Sequence, residues 1–370
     1  MTGIGIIGCG NISGAYLRTL TKAPGVRVEA VADLDLERAR AQAQAFGVPL
    51  ALTPTAILER DDLGLIVDLT IPAAHHDVNR RALEAGKAVY SEKPMAATAA
   101  EARSLMALAD ATGLPLGGAP DTFLGVGLQT ARAALDAGTI GRPVAAVAHM
   151  VSRGPERWHP DPAFFFLPGA GPLHDMGPYY VTALVSLLGP VASVTAEGGR
   201  AWTERTIGSG PRAGQRVPVS VETHVSAQLR FASGPLATLL TTFDVTASDL
   251  PRIEVFGENG TLSLGDPNTF VGPVRVRHAP DEPWSEVSAV PGFAGNARGL
   301  GALELLRAAA QGRPPRASGA LASHVLDVLD GALVSMRDGR RVAIDSRPSR
   351  PEPLGLDDLA ALGWSDRTSS

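Results

Sequence analysis

The sequence has little cysteine, no long hydrophobic run and no block of basic residues. Cys9 is the one cysteine among 370 residues, so no disulfide can form within the chain and a reducing compartment is expected. The longest apolar stretch, 180–194, is interrupted by Gly189 and Pro190 and is too short to span a bilayer. The first residues lack the pattern of a secretory signal, so we expect a cytoplasmic protein.

The charge balance narrows the class of partner. The net charge is −5 and lysine and arginine are dispersed, whereas nucleic acids and anionic membranes require a concentrated basic surface. The eight histidines show no paired-ligand spacing, so no metal is expected. Hydrophobic residues make up 45% of the chain and charged residues 19%, which is typical of a soluble globular protein with two or more domains. We therefore expect a small-molecule ligand.

The N-terminus reads as a strand, a glycine turn and a helix. An apolar run, 3–7, leads into Gly8-Cys9-Gly10-Asn11-Ile12, and a helical segment follows at 15–20. Gly8 permits a tight turn, and Gly10 allows the backbone to approach a pyrophosphate that lies at the N-terminus of the helix. Ser13 occupies the third glycine position of this dinucleotide fingerprint.

A second apolar run, 26–31, is followed closely by Asp33. A carboxylate at this position accepts hydrogen bonds from ribose hydroxyls and repels a 2′-phosphate, which predicts NAD as the cofactor. The alternative is that Asp33 or Asp35 only caps the next helix. Arg38 and Arg40 on that helix are compatible with NADP.

Strand and helix patterns continue to alternate up to Glu92-Lys93-Pro94, which predicts a doubly wound parallel sheet. The tripeptide, the preceding segment 85–89, and Ile71-Pro72 with His75 resemble the Gfo/Idh/MocA oxidoreductase family. The predicted cofactor residues cluster at the fingerprint and at the carboxyl ends of the strands: Gly8, Gly10, Asn11, Ile12, Asp33, Thr70, Ile71, Pro72, His75, Glu92 and Lys93.

The resemblance implies a Rossmann domain at 1–121, a second domain at 122–345 on an open, mostly antiparallel sheet, and a C-terminal tail at 346–370. Strand-like alternation at 225–231 and a turn at 257–260 independently indicate antiparallel strands. Assembly through the open sheet face, as a homodimer or homotetramer, is a further implication.

Oxidation of an alcohol requires a proton acceptor and a group that stabilises the developing alkoxide. In the family motif, Lys93 and Asp175 are the implied catalytic residues, and Tyr179 stands where inositol dehydrogenases carry histidine. The motif Asp-x-x-x-Tyr, formed by Asp175 and Tyr179, is similar to the motif at this position in glucose–fructose oxidoreductase and dimeric dihydrodiol dehydrogenase. We hypothesise that Tyr179 exchanges the proton while Lys93 tunes its pKa and binds the substrate oxygen. The alternative makes Lys93 the proton carrier.

Neighbouring residues compete for roles at the substrate. Tyr180 rivals Tyr179, because adjacent helical residues point about 100° apart. His174 is a weaker acid–base candidate, and Trp158 with His159 suits recognition of a sugar or else forms a rim or an interface. The sequence thus favours an NAD-dependent dehydrogenase or reductase of a carbohydrate-like alcohol. A dehydrogenase of a non-sugar cyclic diol and a non-catalytic NAD-binding regulator are the alternatives.

Overall fold

The computed structural model describes residues 2–365 and contains two large sheets. The first is six-stranded and parallel, with the order β3-β2-β1-β4-β5-β6. Its strands are β1 (Thr2–Ile7), β2 (Val26–Ala32), β3 (Leu50–Leu52), β4 (Leu63–Asp68), β5 (Ala88–Ser91) and β6 (Leu116–Gly118). The strand order reverses between β1 and β4, and the crevice at the carboxyl ends of such a pair is where ligands bind in open α/β sheets.

Helices cover both faces of this sheet. They are α1 (Ser13–Leu20), α2 (Leu36–Phe46), α3 (Pro54–Leu58), α4 (Pro72–Glu84) and α5 (Ala99–Thr112). Local signals set their ends: the Asp35 side chain caps α2, which stops at Gly47 in the left-handed region (φ 67°), and Thr98 with Glu101 forms a capping box on α5. Helix α1 begins two residues before the predicted segment, 15–20, and ends with it.

The second sheet has nine strands in the order β16-β15-β14-β13-β7-β12-β11-β8-β17 and is antiparallel apart from the β7–β12 pair. Its strands are β7 (Pro143–Val151), β8 (Val191–Gly199), β11 (His224–Phe231), β12 (Leu236–Thr242), β13 (Ile253–Gly257), β14 (Gly260–Leu264), β15 (Val274–Arg277), β16 (Ser285–Glu286) and β17 (Val342–Ala343). A separate hairpin is formed by β9 (Glu204–Thr206) and β10 (Arg216–Pro218). The predicted fold class is therefore confirmed.

The helices of the second domain are α6 (Val126–Asp136), α7 (Gly171–Leu188), α8 (Leu300–Ala310) and α9 (Gly319–Asp338), and the tail contains α10 (Leu356–Ala361). One face of the large sheet packs against α7 and α9, while its other face is left uncovered by residues 2–365. By length and composition α9 is long and apolar enough to cross a membrane, but 67% of its most apolar stretch is buried inside the protein. Both α8 and α9 also contact β6, so the second domain closes over the end of the first sheet.

Helix α7 and the C-terminal tail both help to organise the molecule. Helix α7 begins at Gly171, so Asp175 and Tyr179 lie four residues apart on one helix. The tail expected to be peripheral packs on the protein over its described part. Arg316 donates to the Pro353 carbonyl oxygen (2.9 Å) and to the Asp358 carboxylate (2.6 Å), and Leu359 is buried.

Candidate active site

The glycine turn lies between the carboxyl ends of β1 and β4. Gly8 has φ +101°, and a Cβ there would lie 2.5 Å from the Leu69 carbonyl group, so glycine is required at this position. A Cβ on Gly10 would meet nothing within 4 Å, which leaves open space in front of that residue. Helix α1 follows with no side-chain cap. The N–H groups of Ser13 and Ala15 donate to the carbonyl oxygens of Gly10 (3.1 Å) and Ile12 (2.9 Å), whereas the N–H group of Gly14 has no backbone acceptor within residues 2–365 and is available to an anion. This open cradle fits the pyrophosphate of a dinucleotide.

Ser13, at the third position of the fingerprint, is fully buried, and its hydroxyl donates to the Gly10 carbonyl oxygen (2.6 Å). A small side chain that satisfies its own hydroxyl can replace the third glycine at this close contact between helix and strand. The departure from the fingerprint therefore leaves the turn intact.

Asp33 braces the turn. Its carboxylate accepts hydrogen bonds from the backbone N–H groups of Cys9 (2.8 Å) and Asp35 (2.9 Å). The helix cap is Asp35, which accepts from the N–H groups of Glu37 and Arg38, so the capping alternative applies to Asp35 alone. Each Asp33 oxygen keeps capacity for a ribose hydroxyl. Burial, aided by the charge of Asp33, raises the pKa of the Cys9 thiol to about 12, which keeps it protonated.

The opposite wall of the crevice follows β4. The Thr70 hydroxyl and N–H group donate to Asp68, and Ile71 and Leu34 project their apolar side chains outward, 68% and 95% exposed. Exposed apolar side chains on both sides of the turn suit a flat ring between them.

His75 lies behind this wall rather than on it. Its ring is buried, and both nitrogens lie within hydrogen-bond distance of carbonyl oxygens: Nδ1 is 2.6 Å from that of Pro94 and Nε2 is 3.1 Å from that of Thr70. The prediction that His75 binds the cofactor therefore needs correction, because its polar atoms tie two loops together and face the protein interior.

Glu92 and Lys93 follow β5 at the same edge of the sheet. Glu92 accepts from the Tyr16 hydroxyl (2.8 Å) and from the N–H group of Lys93 (2.6 Å), which anchors the tripeptide to α1. The Lys93 ammonium donates to the main-chain oxygen (2.6 Å) and to a carboxylate oxygen (3.0 Å) of Asp175, a residue 82 positions away. The structure therefore brings the two predicted catalytic residues into contact.

The charge state of Lys93 follows from these neighbours. Burial disfavours the ammonium, but the charges of Asp175, Tyr179 and Glu92 outweigh that cost and raise the pKa of Lys93 above its usual value. An ammonium has three N–H donors, and Asp175 takes two of them. The third is left for the ring of Tyr179 or for a substrate, and Nζ lies 5.3 Å from the centroid of that ring.

Tyr179 faces this cation, whereas Tyr180 is fully buried in the core with a hydroxyl that finds no hydrogen-bond partner in the described part of the chain. This geometry favours Tyr179 over its neighbour. Burial raises the pKa of Tyr179, and the positive charges of Lys93 and Arg298 oppose that rise without cancelling it. Lys93 therefore lowers the pKa of Tyr179, as expected, but burial raises that pKa by more.

Two charged residues near the site, Arg298 and Asp121, carry no signal in the sequence. Arg298 precedes α8, and its guanidinium is anchored by the side-chain oxygen (2.7 Å) and the main-chain oxygen (3.1 Å) of Asn268. Asp121 is buried and accepts from the N–H groups of Gly299 (2.9 Å) and Gly301 (3.0 Å). No spacing rule links residues so far apart along the chain, so no local signal announced them.

His174 packs toward α9. Its ring is buried, and Nε2 lies 3.3 Å from a carboxylate oxygen of Asp330 on α9, on the face of α7 that packs against that helix. The second oxygen of Asp330 accepts from the N–H group of Ala99 at the start of α5 (2.7 Å). His174 and Asp330 thus join helices of the two domains, and substrate binding by His174 stays a prediction.

Trp158 and His159 belong to an aromatic cluster in the loop before α7. Trp158 is 65% exposed and packs edge-on against His159 and Phe165, with centroid separations of 5.4 and 6.3 Å. Its role at a substrate remains a prediction.

Comparison with known proteins gives two matches to family models. The description "Oxidoreductase family, NAD-binding Rossmann fold" matches residues 2–117, and "GFO/IDH/MocA C-terminal domain" matches residues 128–263. Inositol 2-dehydrogenase 1 of Saccharopolyspora erythraea is 31% identical over 281 residues, which is 72% of this chain and 75% of that protein. D-apiose dehydrogenase of Paraburkholderia graminis is 33% identical over 139 residues, 37% of each chain.

Other curated relatives match over a shorter span. An oxidoreductase of Escherichia coli is 28% identical over 206 residues, 56% of this chain and 54% of that one. The chain spans about half or less of the length of several curated relatives that it matches.

Solved structures share the whole architecture. An oxidoreductase domain protein from Kribbella flavida superposes with a TM-score of 0.78 at 25% identity, covering 93% of this chain and 99% of that one. Levoglucosan dehydrogenase in complex with NADH and L-sorbose superposes with a TM-score of 0.79 at 20% identity and the same coverage, a likeness of fold alone.

Proposed function

This chain belongs to the Gfo/Idh/MocA family of NAD-binding oxidoreductases, and we propose that it transfers a hydride between NAD(H) and a secondary alcohol or ketone of a carbohydrate-like substrate. The observation that carries the proposal is the contact of Lys93 with Asp175 beside Tyr179, at the sheet edge that also holds the dinucleotide cradle. The proposed substrates are sugars, glycosides, inositols and related polyols.

NAD, when bound, supplies or accepts the hydride, and residues of the first domain would hold it. The open space at Gly10 and the uncapped start of α1 would take the pyrophosphate, and Asp33 would accept from the ribose hydroxyls. We propose that NAD is preferred over NADP, because the Asp33 carboxylate would repel a 2′-phosphate. Arg38, with Nη1 3.5 Å from that carboxylate, keeps some affinity for NADP.

The roles of the two central side chains follow from their charge. Lys93 stays an ammonium because of its neighbours, so it suits hydrogen bonding to the substrate oxygen and stabilisation of the developing alkoxide better than proton abstraction. Tyr179 is then the group that takes the hydroxyl proton during oxidation and returns it during reduction. Of the two schemes that the sequence left open, we therefore propose the one in which Tyr179, and not Lys93, carries the proton.

The substrate class is proposed from the site and from the relatives. Asp175 presents a carboxylate next to Lys93, which suits a second hydroxyl adjacent to the reacting one. Relatives named for inositol and D-apiose, and a neighbour of the same fold named for levoglucosan, point to polyhydroxylated rings. The exposed Trp158 would cover an apolar ring face.

We further propose a cytoplasmic homodimer or homotetramer that assembles through the uncovered face of the nine-stranded sheet. Light scattering coupled to size-exclusion chromatography measures the mass of the particle. A monomer at micromolar concentration would contradict this part of the proposal.

The function is tested by following NADH absorbance at 340 nm with NAD or NADP and a panel of sugars, inositols, glycosides and cyclic diols, in both directions. Lys93→Met, purified in parallel, controls for contaminating dehydrogenases. We expect turnover with at least one polyol and its loss in Lys93→Met. Turnover confined to non-sugar diols would move the assignment to that class. NAD binding by calorimetry without turnover on any compound would identify a regulator instead.

A further inference from the structure

His75, near the start of α4, is a buried histidine whose two ring nitrogens both lie next to carbonyl oxygens. The residue is 1% exposed, Nδ1 lies 2.6 Å from the Pro94 carbonyl oxygen, and Nε2 lies 3.1 Å from the Thr70 carbonyl oxygen. A carbonyl oxygen only accepts hydrogen bonds, so each contact is a hydrogen bond only when the ring nitrogen carries a proton. A neutral imidazole has one N–H group, whereas an imidazolium has two.

The neutral ring does not fit these surroundings. In either neutral tautomer the lone pair of one nitrogen would point at a carbonyl oxygen 2.6 or 3.1 Å away, which leaves both groups without a hydrogen bond inside the protein. His324, which is also buried, shows the contrast. Its Nε2 accepts from the N–H group of Val191 (3.0 Å) and its Nδ1 lies 2.7 Å from the Ser346 hydroxyl, so one N–H group satisfies both contacts there.

A buried carboxylate lies on the other side of Thr70. One oxygen of Asp68 accepts from the N–H group (2.9 Å) and the hydroxyl (2.6 Å) of Thr70, whose carbonyl oxygen faces His75. The other Asp68 oxygen has no hydrogen-bond partner within residues 2–365. Burial raises the pKa of Asp68, and the positive charge of His75 opposes that rise. Asp68 is therefore a counter-charge for an imidazolium, linked to it through one residue.

The other charges on α4 and on the elements that pack against it have partners of their own. Glu92 and Lys93, after β5, contact Tyr16 and Asp175. The remaining groups and their partners are Glu101 on α5 with the N–H groups of Ala97 and Thr98, Arg103 on α5 with Asp327, and Asp77 on α4 with Arg80 and Arg81. These pairs leave Asp68 as the carboxylate that compensates His75 in the described part of the chain.

The two carbonyl groups at His75 belong to two parts of the candidate site. Thr70 directly precedes Ile71, the exposed apolar residue on the wall of the crevice. Pro94 directly follows Lys93, whose ammonium contacts Asp175. The ring therefore ties the wall of the cofactor crevice to the segment that carries the catalytic lysine.

We propose that His75 is an imidazolium in the folded protein and a positioning residue, whose two N–H groups hold Thr70 and Pro94 and so set the spacing between the cofactor wall and Lys93. It acts through these two main-chain segments and touches neither cofactor nor substrate. The inference rests on the proposed function for its meaning in catalysis. The charge of the ring and its effect on NAD affinity can be measured without any substrate.

The charge of the ring is measured on the wild-type chain with 15N-labelled histidine at neutral pH. An imidazolium shows two N–H nitrogens of similar chemical shift, whereas a neutral ring shows one N–H nitrogen and one lone-pair nitrogen far from it in the spectrum. Nuclear Overhauser effects to Thr70 and Pro94 identify the His75 signals without a variant. We expect two N–H nitrogens for His75, and a lone-pair nitrogen in this ring would overturn the proposal.

Two amide variants separate the two links. His75→Asn places an N–H donor near the position of Nδ1 and keeps the link to Pro94, whereas His75→Gln places one near Nε2 and keeps the link to Thr70. We expect NAD affinity to fall about tenfold in His75→Asn and kcat to fall about tenfold in His75→Gln, with the other quantity nearly unchanged in each. The adjacent, exposed His76, whose Nε2 lies 2.9 Å from the Ser104 hydroxyl, provides the control His76→Gln, which should change neither.

Equal losses of NAD affinity and kcat in the two amide variants would reduce His75 to a general structural residue and overturn the positioning role. In the wild type, NAD affinity should fall once the pH is raised far enough to remove one ring proton, because the longer contact, with Thr70, is then lost. The same fall in His75→Gln, which has no ring to titrate, would also overturn the role. If the substrate panel gives no turnover, the ring spectrum and the NAD titrations still decide the role of His75, so failure of the two proposals can be told apart.

Discussion

The two halves of the candidate site are built in different ways. The cofactor half is built mainly from one continuous β1-α1-β2 segment, with a second wall after β4. It offers mainly backbone groups: the glycine turn, the start of α1, and Asp33 bracing that turn. The substrate half combines side chains from after β5, from α7 and from the turn before α8, held by contacts between residues such as Lys93 and Asp175. A backbone site depends on local conformation, whereas a side-chain site depends on the whole fold.

The largest effect is expected in the glycine turn, where two neighbouring glycines serve different purposes. Gly8→Ala forces a side chain into φ +101° and against the Leu69 carbonyl group, and we expect a loss of at least about 3 kcal/mol in unfolding free energy. Gly10→Ala meets open space, so stability should hold while NAD affinity falls on the order of 100-fold, about 2.7 kcal/mol.

Chemical denaturation and calorimetric NAD titration of both glycine variants check this separation. Equal loss of stability in the two would show that Gly10 is also a structural glycine. Unchanged NAD affinity in Gly10→Ala would remove the pyrophosphate from the proposed cradle.

The substrate half offers a matched pair on adjacent residues of α7. Asp175→Asn removes the charge beside Lys93, and we expect kcat/KM to fall about 100-fold with little change in stability. His174→Ala breaks the contact with Asp330, and we expect a loss of about 1–3 kcal/mol in stability with kcat/KM within about twofold of wild type. Steady-state kinetics and denaturation curves measure both, and a kinetic defect in His174→Ala would return that residue to the substrate.

Asp121 predicts a pH dependence of stability. Burial raises its pKa to about 6, above the usual value near 3.8, so between these values the native state binds a proton that the unfolded state has lost. Stability contributed by this group therefore falls as pH rises from about 4 to about 6 and is constant above that, with a total change on the order of 3 kcal/mol.

Asp121→Asn keeps an acceptor for Gly299 and Gly301 and should abolish this change. The measurement is the difference in unfolding free energy between wild type and variant across pH 3.5–7. A difference that is flat, or that rises with pH, would contradict the shifted pKa.

The smallest effect concerns cofactor choice. Asp33→Asn removes the carboxylate that repels a 2′-phosphate and frees Arg38, and we expect the preference for NAD over NADP to fall about tenfold. Asp35→Ala removes the α2 cap and should cost about 1 kcal/mol of stability while leaving the preference unchanged. The ratio of the Kd values for the two cofactors measures this preference. An unchanged ratio in Asp33→Asn would show that Asp33 does not bind the ribose.

The cofactor half could be predicted from the sequence because its signals are local. Apolar runs mark β1 and β2, Gly8 and Gly10 mark the turn, and Asp33 ends the second strand. Each of these features depends on conformations that neighbouring residues determine, so the order of residues along the chain was sufficient to predict them. His75 was misplaced because proximity to a strand end does not reveal which way a helical side chain points.

The substrate half could be predicted only in part. Resemblance to the family identified Lys93, Asp175 and Tyr179, but α7 is buried on nearly all sides, so its pattern does not show which side chains face the site. For this reason the sequence alone does not separate Tyr179 from Tyr180 and His174 as the residue that contacts the substrate. Arg298 is brought to the site by Asn268, 30 residues earlier, and by Asp121, and contacts of that kind follow from the fold alone.

The proposed role of Tyr179 is tested most directly by comparing Tyr179→Phe with Tyr180→Phe in steady-state turnover on the substrate that the panel identifies. The two variants lose the same atom from adjacent residues, and within residues 2–365 the Tyr180 hydroxyl has no hydrogen-bond partner. We predict that Tyr179→Phe lowers kcat about 100-fold or more while Tyr180→Phe stays within about twofold of wild type, both remaining folded. Near-normal turnover in Tyr179→Phe would contradict the proposed chemistry at its centre.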